Sequence, residues 1–109
     1  MLAERLVREI YEATTSLPSS ERFTFQSQIR RAAISVVTNI VEGSARRTTK
    51  DYVHFLSVAT GSAAETLCLI GLARQLGLLS PVKAEPLEAR YTELVKSLKK
   101  LVSSLENLP

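Results

Sequence analysis

Apolar residues recur along this chain at steps of three and four positions, the spacing that places them on one face of an α-helix. The first stripe predicts a helix from about Leu2 to Ser16, and the second predicts a helix from about Glu21 to Ala45. Pro18 marks a break between the two. The β-branched run at 34–38 has strand propensity, but the helical period continues on both sides of it, so helix is predicted there as well.

The second half of the chain predicts two longer helices. The third begins at Thr48 or Thr49, a capping position, and ends at Gly77, a residue suited to the end of a helix. Ser80-Pro81 predicts a short connection, and Pro86 is expected in the first turn of the last helix. The apolar stripe of this last helix is the most regular in the chain: Leu87, Tyr91, Leu94, Leu98, Leu101, Leu105 and Leu108.

Four amphipathic helices with short connections predict an all-α fold, an antiparallel up-down four-helix bundle in which residues 1–109 form one domain. The second and third helices carry more apolar surface than one bundle core requires: in the third, Leu69, Leu72 and Leu76 add to the main stripe, and the second has two stripes. One stripe contains Ala33 and Val36, and an adjoining stripe contains Ile34 and Val41. Because a monomer rarely leaves such a surface in water, we expect the bundle to self-associate.

The composition excludes several kinds of chemistry. One cysteine, Cys68, allows neither an internal disulfide nor a Cys-rich zinc site. One histidine, His54, is too few for a di-iron bundle, which needs two Glu-x-x-His motifs. No activating base stands near Cys68, and the four glycines are too isolated to form a phosphate-binding loop. We therefore expect no catalytic residue, metal or cofactor, and predict that the protein is not an enzyme.

A membrane location is not predicted. No uninterrupted apolar run exceeds four residues, far short of the length that crosses a bilayer. The sequence also enters its first amphipathic stripe without an apolar signal segment. The expectation is a cytoplasmic protein.

Positive charge is concentrated in one part of the sequence. The chain carries a net charge of +3. From Arg22 to Lys50 there are six cations and one anion, Glu42, whereas residues 51–109 hold equal numbers of cations and anions. Arginine dominates the basic stretch, and its planar guanidinium suits phosphate as well as carboxylate.

Arg46, Arg47 and Lys50 are the first candidates for a nucleic-acid-binding site, and Arg30 and Arg31 are the second. The first three lie at the turn between the second and third helices. Cations and the free N–H groups of a helix start converge there, as a phosphate site requires. Two other interpretations stay open: the arginines are solvated or paired with carboxylates of the chain, as at the i,i+4 spacing of residues 42 and 46, or they bind an acidic protein.

Several short motifs occur together at a specific spacing: Gln28-Ile29-Arg30-Arg31-Ala32-Ala33, Asn39-Ile40-Val41-Glu42-Gly43, Arg47, Phe55-Leu56, Ala59, and Gly61-Ser62 followed by Glu65. In combination, over about residues 6–105, they resemble a family of small four-helix bundle proteins. This family was first noted as reading frames in intervening sequences of 23S ribosomal RNA genes. It includes the accessory variability determinants of diversity-generating retroelements.

The resemblance implies a four-helix bundle that assembles as a homopentameric ring with a basic surface. For the retroelement members it also implies binding to a reverse transcriptase and to nucleic acid. In this sequence Arg30 and Arg31 match the paired arginines of the family motif. Asn39 and Glu42 match its Asn-x-x-Glu-Gly element, and Glu65 matches the glutamate after Gly-Ser. None of these residues is assigned a catalytic role.

Asn39, Glu42 and Glu65 are polar groups on otherwise apolar helices. We predict for them a structural role in a hydrogen-bonded network with Arg30 or Arg31, since such networks fix helix register. The sequence as a whole favours a non-enzymatic homo-oligomer that binds RNA or DNA, or a reverse-transcriptase-like enzyme, through a basic surface. The alternative hypothesis is a structural or regulatory module that has an acidic protein partner and binds no nucleic acid.

Overall fold

Four α-helices and no strand make up the structure, a computed structural model that describes residues 1–109. In chain order the helices are α1 (Leu2–Thr14), α2 (Ser27–Ser44), α3 (Thr49–Gln75) and α4 (Pro81–Glu106). A 3₁₀ turn at Ser19–Glu21 and a π-helical turn at Arg22–Gln26 lie between α1 and α2. The predicted all-α fold class with four helices is therefore confirmed.

Consecutive helices run antiparallel. Between α2 and α3, the Oγ atoms of Ser35 and Ser62 lie 2.9 Å apart, while Gly43, near the end of α2, packs against Phe55 near the start of α3. The short α1 packs against both α2 and α4. The result is a rod with extents of 50 × 21 × 19 Å.

An ion pair joins α3 and α4. The Nε atom of Arg74 donates to Oε1 of Glu88 at 2.7 Å, and Nη2 donates to Oε2 at 3.2 Å. These hydrogen bonds and the charge of the carboxylate raise the pKa of Arg74 above its ordinary value. Arg74 lies near the end of α3 and Glu88 in the first half of α4, so the pair joins the two helices close to their connection.

One hydrophobic core connects the four helices, and α4 contributes only part of its regular stripe to it. Leu87 to Leu98 are buried at the stripe positions, but Leu101 is 38% exposed and Leu108 is 57% exposed. The 13 residues of α1 are half the 26 of α4. Glu9 of α1 pairs with Arg90 of α4, and Ser16, just after α1, accepts a hydrogen bond from Lys83. Only seven residues of α1 precede Glu9, so the part of α4 beyond Leu98 lies past the end of α1.

The predicted start of α2 is wrong. The regular helix begins at Ser27 and not near Glu21, because the chain first forms the 3₁₀ and π-helical turns. Nε2 of Gln26 donates to the carbonyl oxygen of Thr14 at 3.1 Å, which ties the π-helical turn to the end of α1. A contact between residues so far apart in sequence is invisible to helical periodicity.

The predicted start of α4 is also wrong. The helix begins at Pro81, and the Oγ atom of Ser80 accepts a hydrogen bond from the N–H of Lys83 at 3.4 Å. Ser80 is thus an N-cap and Pro81 occupies the first helical position, where proline is favoured. Pro86 lies inside the helix instead, and without an N–H it cannot pair with the carbonyl of Val82 one turn earlier.

The outer face of α3 carries large apolar side chains that no other helix covers. α3 is long and apolar enough to cross a membrane by length and composition alone, but a core helix of a bundle passes the same test. α3 packs against both α2 and α4, yet only a third of its most apolar 18-residue stretch is buried. Val58, Leu72 and Leu76, here called the α3 stripe, are 40%, 41% and 64% exposed. Cys68, expected to behave as a small hydrophobe, is exposed as well.

Tyr91 places a hydroxyl in the core of the bundle with no hydrogen-bond partner. We expect Tyr91→Phe to raise the free energy of unfolding by about 1 kcal/mol, because a buried hydroxyl without a partner is unfavourable. Urea denaturation at neutral pH measures the difference. A variant less stable than the wild type would show that the hydroxyl has a partner.

The same residue makes stability depend on pH. Burial raises the pKa of the Tyr91 phenol above its ordinary value, because the phenolate loses its hydration. The folded state therefore holds this proton more tightly than the unfolded state, and stability falls as the pH rises above about 10, the unfolded pKa. In Tyr91→Phe this contribution to the alkaline loss of stability should be absent.

Candidate nucleic-acid interface

The corner between α2 and α3 is closely packed because Gly43 has no side chain. A Cβ atom at this position would lie 2.9 Å from Cβ of Phe55 and 3.0 Å from Cδ1 of Tyr52. Neither is the free end of a flexible chain, so a larger residue would push the two helices apart. Gly43 is buried, and the corner is consequently a fixed platform for the cations around it.

The start of α3 is capped as predicted. Thr48 Oγ1 accepts a hydrogen bond from the N–H of Asp51 at 3.1 Å. The amide groups of Thr49 and Lys50 have no intrahelical acceptor, as in the first turn of any helix. The carboxylate of Asp51 stands in the same turn and offsets part of the positive end of the helix dipole. Any anion held here therefore depends on the side-chain cations.

The corner places Arg46 and Arg47 at one cleft with Lys50 beside it, and the three cations differ in environment. Arg46 pairs with Glu42 one turn earlier, and its guanidinium carbon lies 4.6 Å from the centre of the Phe55 ring. Arg47 and Lys50 are exposed, and no carboxylate lies within 4.0 Å of either. Arg46 and Arg47 line an open cleft of about 330 Å³, and Lys50 adjoins it in sequence without lining it.

Arg30 and Arg31 lie at the other end of α2. Arg30 is held by α1: Nε donates to Oγ1 of Thr14 at 3.0 Å, and Nη2 donates to the carbonyl oxygen of Tyr11 at 3.2 Å. Arg31 is exposed and has no carboxylate within 4.0 Å. The rise of a helix separates these residues from the corner by roughly 20 Å. The structure therefore contains two basic clusters and not one.

Arg22 belongs with this second cluster, although the sequence pattern did not single it out. It lines the same cleft as Arg30 and Arg31, between α1 and the start of α2. The only sequence signal was its place at the beginning of the basic stretch. The predicted second helix includes this position, but the chain forms a π-helical turn there instead.

Asn39 takes part in a hydrogen-bonded link between α2 and α3, with serines as its partners. Nδ2 donates to the carbonyl oxygen of Ser35 at 2.8 Å and contacts its Oγ at 3.1 Å. The same Oγ lies 2.9 Å from Oγ of Ser62 on α3. Both serines are small residues at a helix crossing, which is the signal that could have identified them.

Glu42 and Glu65 do not join this link. Glu42 pairs with Arg46 on the same helix, and Glu65 is exposed on α3 with no cation within 4.0 Å. Within one chain, neither forms a hydrogen bond with Arg30 or Arg31. The single network expected for Asn39, Glu42 and Glu65 is therefore not assembled inside one chain.

The residues with catalytic potential are dispersed. His54 is exposed, and its ring meets Phe55 edge-on at a centroid distance of 5.2 Å. Cys68 lies exposed further along the same helix. No three His, Cys, Asp or Glu side chains lie together in a way that could hold a metal ion.

Comparison with known proteins agrees with the fold. The chain is similar to the crystal structure of a protein of unknown function from the S23 ribosomal protein family of Bacteroides thetaiotaomicron. The TM-score is 0.78 at 24% identity, over 93% of this chain and 91% of the other, a likeness that shows a shared fold. Among curated proteins none matches. The sequence signature of 23S rRNA-intervening sequence proteins matches residues 1–100, so the chain belongs to this family.

Proposed function

We propose that this protein is a non-enzymatic, cytoplasmic homo-oligomer that binds nucleic acid, or an enzyme acting on nucleic acid such as a reverse transcriptase, through its basic surface. One observation carries the proposal. Of the six cations from Arg22 to Lys50, only Arg46 has a carboxylate within 4.0 Å. The remaining five are uncompensated, and uncompensated arginines and lysines are the electrostatic footprint of a phosphate-binding surface.

The oligomer we propose is a ring of five chains. The uncovered α3 stripe supports association, because burying Val58, Leu72 and Leu76 between subunits would remove apolar area from water. The family resemblance supplies the number of subunits. Five copies of a chain of net charge +3 carry about +15, a field that attracts a polyanion over a Debye length of about 8 Å.

Within the corner, the three cations have different roles in this proposal. Arg47 and Lys50 are free to contact phosphate directly. Arg46 is fixed by Glu42 and by the face of Phe55, so it lines the cleft in a set orientation. Gly43 permits the close packing that keeps all of them on one rigid corner.

A pair of double variants tests the proposal. Arg47→Gln with Lys50→Gln should weaken binding to labelled RNA or DNA about tenfold at low salt. The slope of log affinity against log salt should fall by about 0.9 on duplex DNA, or about 0.7 on a single strand, for each phosphate that the variant no longer neutralises. Arg5→Gln with Arg8→Gln removes the same charge from α1, where carboxylates are interleaved, and should bind nearly as the wild type does. Mobility-shift titrations over a salt series measure both.

Two results would overturn the proposal. One is a wild-type protein that binds no nucleic acid at low salt, alone or with a reverse transcriptase present. The other is equal weakening in the two double variants, which would mean that net charge alone decides binding.

The same uncompensated cations favour one alternative function, a structural or regulatory module that binds an acidic protein. Guanidinium groups pair with carboxylates as readily as with phosphates. Affinity purification from the native host distinguishes the two functions. Protein partners that survive nuclease treatment, without any bound nucleic acid, would favour the alternative.

A further inference from the structure

Phe23 is an aromatic residue left almost entirely in solvent. It is 85% exposed and lies in the π-helical turn between α1 and α2. Single π-helical turns are rare and often occur at functional sites. A large ring held outside the core by an irregular turn is a feature that the folding of this chain alone does not explain.

The ring of Phe23 lies at a cleft rich in arginine. The cleft has a volume of about 400 Å³, and Arg22, Arg30 and Arg31 all line it. The guanidinium carbon of Arg30 lies 4.2 Å from the centre of the Tyr11 ring, and its two hydrogen bonds to α1 fix it as one wall. Arg22 and Arg31 are exposed beside Phe23 and make no ion pair.

No carboxylate lines this cleft. An apolar protein segment seated on Phe23 would leave the nearby guanidinium groups partly desolvated without counter-charges, which is unfavourable. A ligand that offers both a flat apolar face and negative charges satisfies both kinds of residue. A nucleotide does so, because its base stacks on an aromatic ring while its phosphates pair with arginine.

We propose that the α1–α2 cleft binds an unpaired segment of nucleic acid, with one base stacked on Phe23 and neighbouring phosphates on Arg22 and Arg31. The inference rests on the proposed function and specifies the form of nucleic acid. In a duplex the faces of the bases are occupied by their neighbours, so an exposed ring finds a free face only on an unpaired base. Duplex phosphates remain available to the cations but not to the ring.

The chain contains no tryptophan, which makes a direct test possible. Phe23→Leu keeps apolar bulk without an aromatic face, and Phe23→Trp keeps the face and adds a single fluorophore. The probes are a fluorescein-labelled oligothymidylate of about 16 nucleotides, the same strand annealed to oligoadenylate, and an oligouridylate of equal length.

Phe23→Leu should weaken single-strand binding about tenfold and leave duplex binding unchanged. Phe23→Trp is tested with unlabelled strands and should bind the single strand as the wild type does. Its tryptophan fluorescence should fall when the single strand is added, but not when the duplex is added.

Matched variants separate this effect from general charge and apolar area. Val82, also 85% exposed, provides the control Val82→Ala, which should bind all three probes as the wild type does. Arg31→Gln should reduce the single-strand salt slope by about 0.7. Circular dichroism and sedimentation of each variant check that fold and subunit number are intact.

The outcomes separate failure of this inference from failure of the proposed function. A wild-type protein that binds none of the three probes at low salt, alone or with a reverse transcriptase present, defeats the proposed function, and the inference with it. A wild-type protein that binds while Phe23→Leu binds the single strand equally well defeats the inference alone. Loss of oligomer in Phe23→Leu with binding unchanged would also overturn it, by showing that the ring contacts a second copy of the chain.

Discussion

Replacing Gly43 by alanine is expected to lower the free energy of unfolding by about 1–2 kcal/mol, although alanine is usually the better helix residue by about 1 kcal/mol. The new Cβ atom would overlap Cβ of Phe55, at 2.9 Å, and Cδ1 of Tyr52, at 3.0 Å. Because Phe55 Cβ is attached directly to the backbone, α3 must move. Thermal denaturation followed by circular dichroism should show a fall in Tm of roughly 4–16 °C.

Gly61 provides the matched control for that substitution. It lies in the interior of α3, and a Cβ atom there would meet nothing within 4 Å. Gly61→Ala should therefore raise stability by about 0.5–1 kcal/mol through helix propensity alone. If both variants were stabilised alike, close packing at the corner would not be the reason for glycine at position 43.

Introducing a charge into the α3 stripe should have the largest effect on assembly. Leu72 is 41% exposed on the outer face of α3, so in a single chain the carboxylate of Leu72→Glu reaches water and the bundle should stay folded. Between two chains the same carboxylate would be buried without a partner, at a cost of several kcal/mol. We expect the oligomer to dissociate to particles of 12.0 kDa. Light scattering measures the mass, and circular dichroism confirms the helices.

A charge elsewhere on the surface should leave the oligomer intact. Val82→Glu places the same carboxylate on an exposed apolar residue of α4 that lies outside the α3 stripe. Its mass should match that of the wild type, five times the chain mass for the proposed ring. A folded wild-type protein that already scatters as a 12.0 kDa particle at micromolar concentration would contradict the oligomer and the increased charge attributed to it.

The parts of the fold that local rules determine could be predicted from the sequence. Helical periodicity identified four helices, because one face of each helix must be buried for the chain to fold. The cap at Thr48 and the end of α3 at Gly77 follow from backbone chemistry. The Oγ1 atom of Thr48 accepts a hydrogen bond from the N–H of Asp51, and Gly77 adopts a φ of +75°, a backbone conformation that residues other than glycine rarely adopt.

Long-range contacts explain what could not be predicted. Periodicity extended α2 back to residue 21, but the contact of Gln26 with α1 belongs to an irregular turn. The stripe of α4 indicates which side chains face a neighbour but not how long that neighbour is, so the exposure of Leu101 and Leu108 does not follow from it. The start of α4 is different, because the sequence Ser80-Pro81 already contains the cap that was interpreted as a connection.

The same distinction applies to the basic residues. The pair of Glu42 and Arg46 follows from its i,i+4 spacing. Arg30 is attached to α1 by hydrogen bonds to Thr14, 16 positions earlier, and to Tyr11, 19 positions earlier. No local pattern in the sequence shows contacts over such separations. Arg22 and Phe23 were missed because the sequence pattern placed them in the second helix, whereas the chain forms a π-helical turn there.

α3 is a core helix on its inner side and exposes large apolar side chains on its outer side, and this has a consequence for the synthesis of the protein. α3 packs against α2 and α4, and α4 follows it in the chain. α3 can therefore pack against α4 only after the connection and the 26 residues of α4 have left the ribosome. Until then a helix apolar enough to resemble a bilayer-crossing segment is covered on one side alone. Prompt docking of α4 therefore shortens the time during which nascent α3 presents this apolar surface to other molecules.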